Sequence, residues 1–262
     1  MDEHIAILGA GSWGTALAIH LAHKGYKVRL WTRRIEHYNE LVNQRENLKY
    51  LPGSKLENNI IIMNNLHETV TKASPVILAV PSHAVRCTLQ NCKDSLGDAI
   101  IVNTAKGFEE NTLLRLSEVI IQETGNECVI LSGPSHAEEV SRFLPTAIVA
   151  ASHSRQVAEY IQDIFMSPNL RVYTNPDICG VEIGGALKNI IALATGIADG
   201  LGYGDNTRAA LMTRGLTEIT RLGVALQAEP LTFAGLTGIG DLIVTCSSMH
   251  SRNRRAGKAT PS

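Results

Sequence analysis

The chain has 262 residues, of which 44% are hydrophobic and 19% charged, with 22 glycines and 9 prolines. At ~150 residues per domain this length favours two domains or one large one, and the apolar content excludes global disorder. With 24 Lys and Arg against 25 Asp and Glu, the formal net charge of −1 argues against a general nucleic-acid binder or a polybasic membrane binder.

Residues 5–23 carry no Asp, Glu, Lys or Arg, a run as long as a membrane span. Gly9, Gly11, Ser12, Gly14, Thr15, His20 and His23 divide it instead into a short apolar strand over 4–8 and a helix over 13–24. Asp2 and Glu3 stand where a signal peptide needs a basic stretch, so the chain reads as soluble, with no membrane insertion. A second strand over 27–32 leads into a helix over 35–44. Further strand-like runs lie at 60–63, 75–80, 99–104, 128–131, 146–150 and 171–173. Their Val and Ile content and their alternation with helical stretches predict a doubly wound, mostly parallel sheet of Rossmann type. Right-handed crossovers then place helices on both faces.

The pattern changes at Asn175-Pro176, beyond which only long helical stretches follow, broken by Gly200, Gly202 and Gly204. Asn206 or Thr207 is the expected cap of a helix over 208–227. The predicted organisation is a dinucleotide-binding α/β domain over 1–176 and an all-helical substrate domain over 177–262. That helical part is small, and the chain stops soon after a basic run of Arg252, Arg254, Arg255 and Lys258, so the expectation is a truncated domain. A frayed basic end and an open apolar face on the 208–227 helix, carrying Leu211, Met212, Leu216, Ile219, Leu222 and Leu226, would accompany truncation. Weak turnover with retained dinucleotide binding would follow. The five cysteines, Cys87, Cys92, Cys128, Cys179 and Cys246, are odd in number and include no CxxC pair. They read as small core thiols in a reducing cytoplasm, not as a disulfide frame, and no metal site is expected.

Gly9-Ala10-Gly11-Ser12-Trp13-Gly14 fits G-x-G-x-x-G between an apolar strand and an amphipathic helix. The first glycine permits the tight turn, the second lets backbone approach a pyrophosphate, and the third allows close helix–strand packing. The helix N-terminus supplies N–H donors to the phosphates. At the end of the second strand, where an NAD-selective site carries an acid, stand Thr32, Arg33 and Arg34. A guanidinium can hold a 2′-phosphate on two oxygens, so NADP(H) is favoured and NAD(H) remains possible.

Ligands of an open parallel sheet bind beyond the strand carboxyl ends, where Pro81-Ser82-His83, Ala105-Lys106-Gly107 and Ser132-Gly133-Pro134-Ser135 lie. Lys106, directly after a strand, is either a ligand contact or an exposed lysine. Lys188 is one of only two charges between residues 178 and 198, with Gly184, Gly185 and Ala192 one turn away. Small neighbours leave room for a ligand beside its ammonium, whereas a snorkelling lysine is the plainer reading. Asp241, in Gly238-Ile239-Gly240-Asp241, is either a functional carboxylate or a helix cap. Ser251-Arg252-Asn253-Arg254-Arg255 suits a helix-start phosphate site or a short basic tail.

These motifs together resemble one family, the bacterial-type NAD(P)-dependent glycerol-3-phosphate dehydrogenases. The matching segments are Gly9-Ala10-Gly11-Ser12-Trp13-Gly14-Thr15-Ala16-Leu17-Ala18, Val80-Pro81-Ser82-His83, Lys106-Gly107 and Ser132-Gly133-Pro134-Ser135. They continue with Gly184-Gly185-Ala186-Leu187-Lys188-Asn189, Gly238-Ile239-Gly240-Asp241-Leu242 and Ser251-Arg252-Asn253-Arg254-Arg255, in family order. The resemblance implies reversible reduction of dihydroxyacetone phosphate to sn-glycerol 3-phosphate, the backbone of glycerophospholipids, by a homodimer. By position Lys188 matches the proton donor and acceptor. Lys106, Gly133, Ser135, Asp241, Ser251, Arg252 and Asn253 match substrate contacts. Ser12, Trp13, Arg33, Lys106, Ala137 and Arg252 match cofactor contacts, with Arg34 added to them.

Two departures from the family pattern stand out. His136 occupies a position that is usually aromatic, and the residues after Gly257 are unfamiliar. Two other readings stay open at this point: a related two-domain 2-hydroxyacid or 6-phosphogluconate type reductase, and a non-catalytic dinucleotide-binding protein.

Overall fold

A computed structural model describes residues 4–259; Asp2, Glu3 and residues 260–262, to which the signal-peptide and chain-end readings refer, lie outside the described residues. The strands are β1 (His4–Leu8), β2 (Val28–Trp31), β3 (Glu46–Asn47), β4 (Leu51–Lys55), β5 (Ile60–Met63), β6 (Ala73–Leu78), β7 (Ile101–Asn103), β8 (Cys128–Ser132), β9 (Thr146–Ala151) and β10 (Leu170–Asn175). Eight of them form one sheet in the order β10-β9-β8-β7-β6-β1-β2-β5. Every neighbouring pair in it is parallel except β8 with β9.

Period-2 alternation builds the two cores. Ile5 and Ile7 of β1 face one side with Leu17, Leu21, Leu30 and Phe165, while Ala6 and Leu8 face the other with Val76, Leu78, Val119 and Ile120. Both faces are therefore buried, as a parallel sheet requires. The chain leaves β1 toward β2 on one side and returns through β6 on the other, so the crevice where crossovers diverge opens above the carboxyl ends of β1 and β6. The glycine-rich turn sits there.

After β10 the chain is helical. Ile178–Gly200 is the central helix, followed by Asp205–Ala225, Pro230–Phe233, Asp241–Ser247 and Arg252–Ala259. By length and composition Ile178–Gly200 could cross a membrane, yet 56% of its most apolar stretch is buried inside the protein.

Three local expectations are corrected. No strand is expected between residues 44 and 60, but β3 and β4 form a small antiparallel hairpin there, with Pro52 and Gly53 masking the strand signal. The helix expected over 208–227 begins at Asp205 with Gly204 as its N-cap, so neither Asn206 nor Thr207 caps it. Asp205 in its first turn instead pairs with Arg208 at 2.7 Å. The basic end is not frayed: Arg252–Ala259 is a helix seated across Ile178–Gly200. Two glycines make that crossing close. A Cβ on Gly196 would lie 2.1 Å from the Arg254 carbonyl, and one on Gly257 would lie 2.2 Å from that of Leu193. Part of the apolar face of Asp205–Ala225 is open, with Leu222 and Leu226 about half exposed and Ile219 buried.

Candidate active site

At the end of β1 the backbone turns on Gly9, whose φ of +121° suits only glycine. A Cβ on Gly9 would lie 2.7 Å from the Ala79 carbonyl, and one on Gly14 would lie 1.9 Å from that of Gly9. Around Gly11 there is no atom within 4 Å of that position. Two of the three glycines thus close the helix onto the sheet, and the middle one leaves the backbone open to a ligand. Helix Ser12–His23 starts at Gly11 without a side-chain cap, so its first N–H groups face the same space. A dinucleotide pyrophosphate fits this cradle. Ser12 and Trp13 are half-buried beside it, and Arg33 and Arg34 are exposed beyond β2, with the Arg34 guanidinium donating to the Tyr50 hydroxyl.

A second cluster lies beyond β7 and β8. Lys106 Nζ donates to the Gly133 carbonyl at 3.1 Å and to Asp241 Oδ2 at 2.5 Å. Lys188 Nζ donates to the other carboxylate oxygen, Oδ1, and to Thr245 Oγ1 at 2.8 Å. Asp241 is 1% exposed and Lys188 8%, so one buried carboxylate bridges two ammonium groups contributed by different halves of the chain. Lys188 is no snorkelling lysine, and Asp241, at the start of helix Asp241–Ser247, uses its side chain on the lysines and not as a cap. Burial, reinforced by the neighbouring Lys106 charge, pulls the Lys188 amine down to about 7; the Asp241 carboxylate opposes that fall.

Small residues make room beside the lysines. A Cβ on Gly185 would come within 3.1 Å of Ser132 Oγ and 3.6 Å of the Lys106 side chain. Lys106, Gly107, Ser132, Glu182 and Gly185 line a narrow recess. Gly133, at φ +139°, packs against the backbone of Ile148, and Ser135 Oγ donates to the Gly133 carbonyl at 3.2 Å. Ala137 is buried at the start of the short helix Ala137–Val140. Among the described residues, the buried side-chain atoms without a partner are Ser132 Oγ and His136 Nε2, both on this loop. Burial lowers the His136 pKa, and the His250 and Lys188 charges push it the same way against Glu138 and Glu139.

The Ser251 segment meets this loop through histidines. The His250 ring lies 5.5 Å from that of His136. Ser251 is buried and its Oγ accepts from the Arg254 N–H at 3.2 Å, capping the last helix, while Arg252 is exposed and Asn253 half-buried. Neither Arg252 nor Asn253 touches the lysine cluster directly. Arg254 is a buried strut: its Nε donates to Asp199 at 2.9 Å and its NH1 to the Ser247 carbonyl at 2.6 Å. Sequence reasoning missed Thr245, Asp199 and Glu182. Thr245 stands one helical turn after Asp241 and was findable from that spacing. Asp199 pairs with Arg208 across the turn between two helices and with Arg254, 55 residues on, contacts that no helical spacing signals. Among the described residues no group of three or more His, Cys, Asp or Glu is placed to hold a metal ion.

Comparison with known proteins agrees with this geometry. The profile of the NAD-dependent glycerol-3-phosphate dehydrogenase N-terminus matches residues 4–158, and that of the C-terminus matches residues 177–261. A glycerol-3-phosphate dehydrogenase [NAD(P)+] of Moorella thermoacetica is 63% identical over 98% of this chain and 77% of its own length. One from Pelotomaculum thermopropionicum is 56% identical over 99% of this chain and 76% of its own. The crystal structure of the Coxiella burnetii glycerol-3-phosphate dehydrogenase superposes with a TM-score of 0.95 at 41% identity, covering 99% of this chain and 80% of that one. An α/β sheet domain carrying a glycine-rich cradle, a helical domain bringing Lys188 onto Asp241, and these matches place the chain in the NAD-dependent glycerol-3-phosphate dehydrogenase family.

Proposed function

We propose that the chain reversibly reduces dihydroxyacetone phosphate to sn-glycerol 3-phosphate, with residues 1–176 binding the dinucleotide and 177–262 the substrate. The observation that carries this reading is Lys188, buried and held on Asp241 beside Lys106. When bound, the nicotinamide dinucleotide supplies the hydride. The Lys188 ammonium stabilises the charge that builds on the carbonyl oxygen and delivers the proton to it. Asp241 holds that ammonium in one position, and Lys106, through the Gly133 carbonyl, fixes the loop that flanks the substrate. Arg252 and Asn253 bind the phosphate end, with Ser251 capping their helix, so binding energy remote from the carbonyl aligns it. Gly9, Gly11, Ser12, Trp13, Gly14 and Ala137 frame the dinucleotide, and Arg33 and Arg34 favour NADP(H) over NAD(H).

The same reading supplies the glycerol backbone of phospholipids in the cytoplasm, where the buried thiols Cys92, Cys128 and Cys246 stay reduced. It includes pairing with a second copy, supported by exposed Ile190, Leu193 and Ile197 on the central helix and Leu201 just past its end. The test follows NADPH absorbance after adding dihydroxyacetone phosphate. Lys188→Ala is expected to lower turnover by ~10²–10⁴-fold while NADPH still binds, and more than about a tenth of the activity remaining would remove Lys188 from its role. Arg33→Ala in the same assay weakens NADPH more than NADH; equal losses would show that Arg33 does not read the 2′-phosphate.

A further inference from the structure

The hairpin that sequence reasoning missed carries Asn47, fully buried between two parts of the dinucleotide cradle. Its amide Nδ2 donates to the Ala10 carbonyl at 3.0 Å and to Thr15 Oγ1 at 2.8 Å. Its Oδ1 accepts from the Tyr50 N–H at 3.2 Å. A backbone carbonyl can only accept and a backbone N–H can only donate, so these two contacts fix which end of the amide is which. His37 Nε2 lies 3.2 Å from the same Oδ1 and must therefore carry the ring proton. In the neutral ring with that tautomer, Nδ1 accepts a hydrogen bond from the Thr32 hydroxyl at 3.1 Å. The chain of bonds has one direction throughout, from Thr32 through His37 and Asn47 to Ala10.

One end of that chain holds the Ala10 carbonyl of the glycine-rich turn, and the other is the Thr32 side chain just past β2. Thr32 immediately precedes Arg33 and Arg34. Ala10 shares a peptide with Gly11, and in a trans peptide the C=O and N–H point in opposite directions. Holding the Ala10 carbonyl against Asn47 commits the Gly11 N–H to the opposite side of that peptide. We propose that Asn47 and His37 are positioning residues for the dinucleotide, Asn47 setting the peptide that meets the pyrophosphate and His37 tying the 2′-phosphate corner to it. This rests on the dinucleotide-binding reading above.

The test is titration of NADPH and NADH into the unaltered chain, Asn47→Asp and His37→Gln, with apo thermal unfolding measured alongside. Asn47→Asp keeps the shape but faces the Ala10 carbonyl with an acceptor, so both Kd values rise tenfold or more. His37→Gln retains a donor near the Nε2 position and loses the Thr32 partner, so the NADPH Kd rises at least threefold more than the NADH Kd. A purely structural role would lower the unfolding temperature and leave that ratio unchanged. Both variants binding within twofold of the unaltered chain, or His37→Gln weakening both nucleotides equally, overturns the proposal. If Asn47→Asp does not fold, the His37→Gln ratio decides alone. Absence of saturable binding by the unaltered chain overturns the dinucleotide reading itself, and the proposal with it.

Discussion

Lys188 sits between opposing influences, and on the proposed mechanism its protonation state sets how fast each direction of the reaction runs. Burial and the Lys106 charge favour the neutral amine, while Asp241 favours the ammonium. Ketone reduction consumes the proton on Nζ, so its turnover is expected to be level in acid and to fall as pH rises through about 7, the depressed lysine value. Alcohol oxidation needs the neutral amine and rises over the same interval. Asp241→Asn removes the group that retains the proton, which moves the falling limb of reduction to lower pH. Turnover against pH in both directions is the measurement, and a limb that stays in place or moves upward contradicts this electrostatic arrangement. At this scale the sequence was informative wherever a charge stood alone in apolar surroundings, as Lys188 and Asp241 do. It was silent on Asn47, an ordinary polar residue whose partners Ala10 and Thr15 lie more than thirty positions away.

Among the elements, the last helix depends on the absence of side chains at one crossing. An added methyl at Gly257 would press on the Leu193 carbonyl, which belongs to helix backbone and cannot swing aside. Overpacking of this kind costs ~1–3 kcal/mol, so Gly257→Ala is expected to lower the urea midpoint without changing its slope. Because Arg252 and Asn253 ride on the same helix, KM for dihydroxyacetone phosphate is expected to rise, and the NADPH Kd with it, since Arg252 matches contacts to both. A normal KM in a destabilised variant would show that the helix does not position the phosphate end. Elements with strong local periodicity were legible: β1 alternates Ile5 and Ile7 against Ala6 and Leu8, and a helix over 35–44 is found at Ile35–Gln44. The β3–β4 hairpin was not, since a two-residue strand facing Leu51-Pro52-Gly53 carries no period to read. The last helix, expected to fray, is held because its strut, Arg254 on Asp199, is a tertiary contact.

For the whole molecule, the sheet and the helical part are tied by a buried carboxylate. Glu182 of the central helix accepts from the Ser117 N–H at 2.9 Å and the Ser117 hydroxyl at 2.5 Å, with Arg115 at 3.3 Å. Burial raises its pKa, and the Ser117 bonds and Arg115 oppose that rise. Removing it orphans the two buried Ser117 donors and leaves Arg115 with Glu118 alone, so Glu182→Ala is expected to cost about 3 kcal/mol in equilibrium unfolding. Glu182→Gln, which still accepts from Ser117, costs less; equal losses would show that the carboxylate charge and not the acceptor holds the domains. The global architecture was legible because strand–helix alternation stops at Asn175-Pro176 and helices alone follow. How the two parts lock together was not, since Glu182 gave no pattern beyond being the other charge between residues 178 and 198.

The carboxylate shared by two ammonium groups also has an electrostatic consequence at long range. With Lys188 protonated, Lys106 and Lys188 against Asp241 leave one net positive charge in the recess, whose other carboxylate, Glu182, is paired with Arg115, in a chain whose formal net charge is −1. Low-dielectric walls focus such a charge outward and draw in anions faster than diffusion alone. The attraction fades once added salt shortens the Debye length to about 10 Å at 0.1 M. Capture of dihydroxyacetone phosphate should therefore slow with ionic strength, read as a falling kcat/KM, while that of unphosphorylated dihydroxyacetone holds level. Parallel salt curves for the two would mean that the surplus charge is already neutralised before substrate arrives.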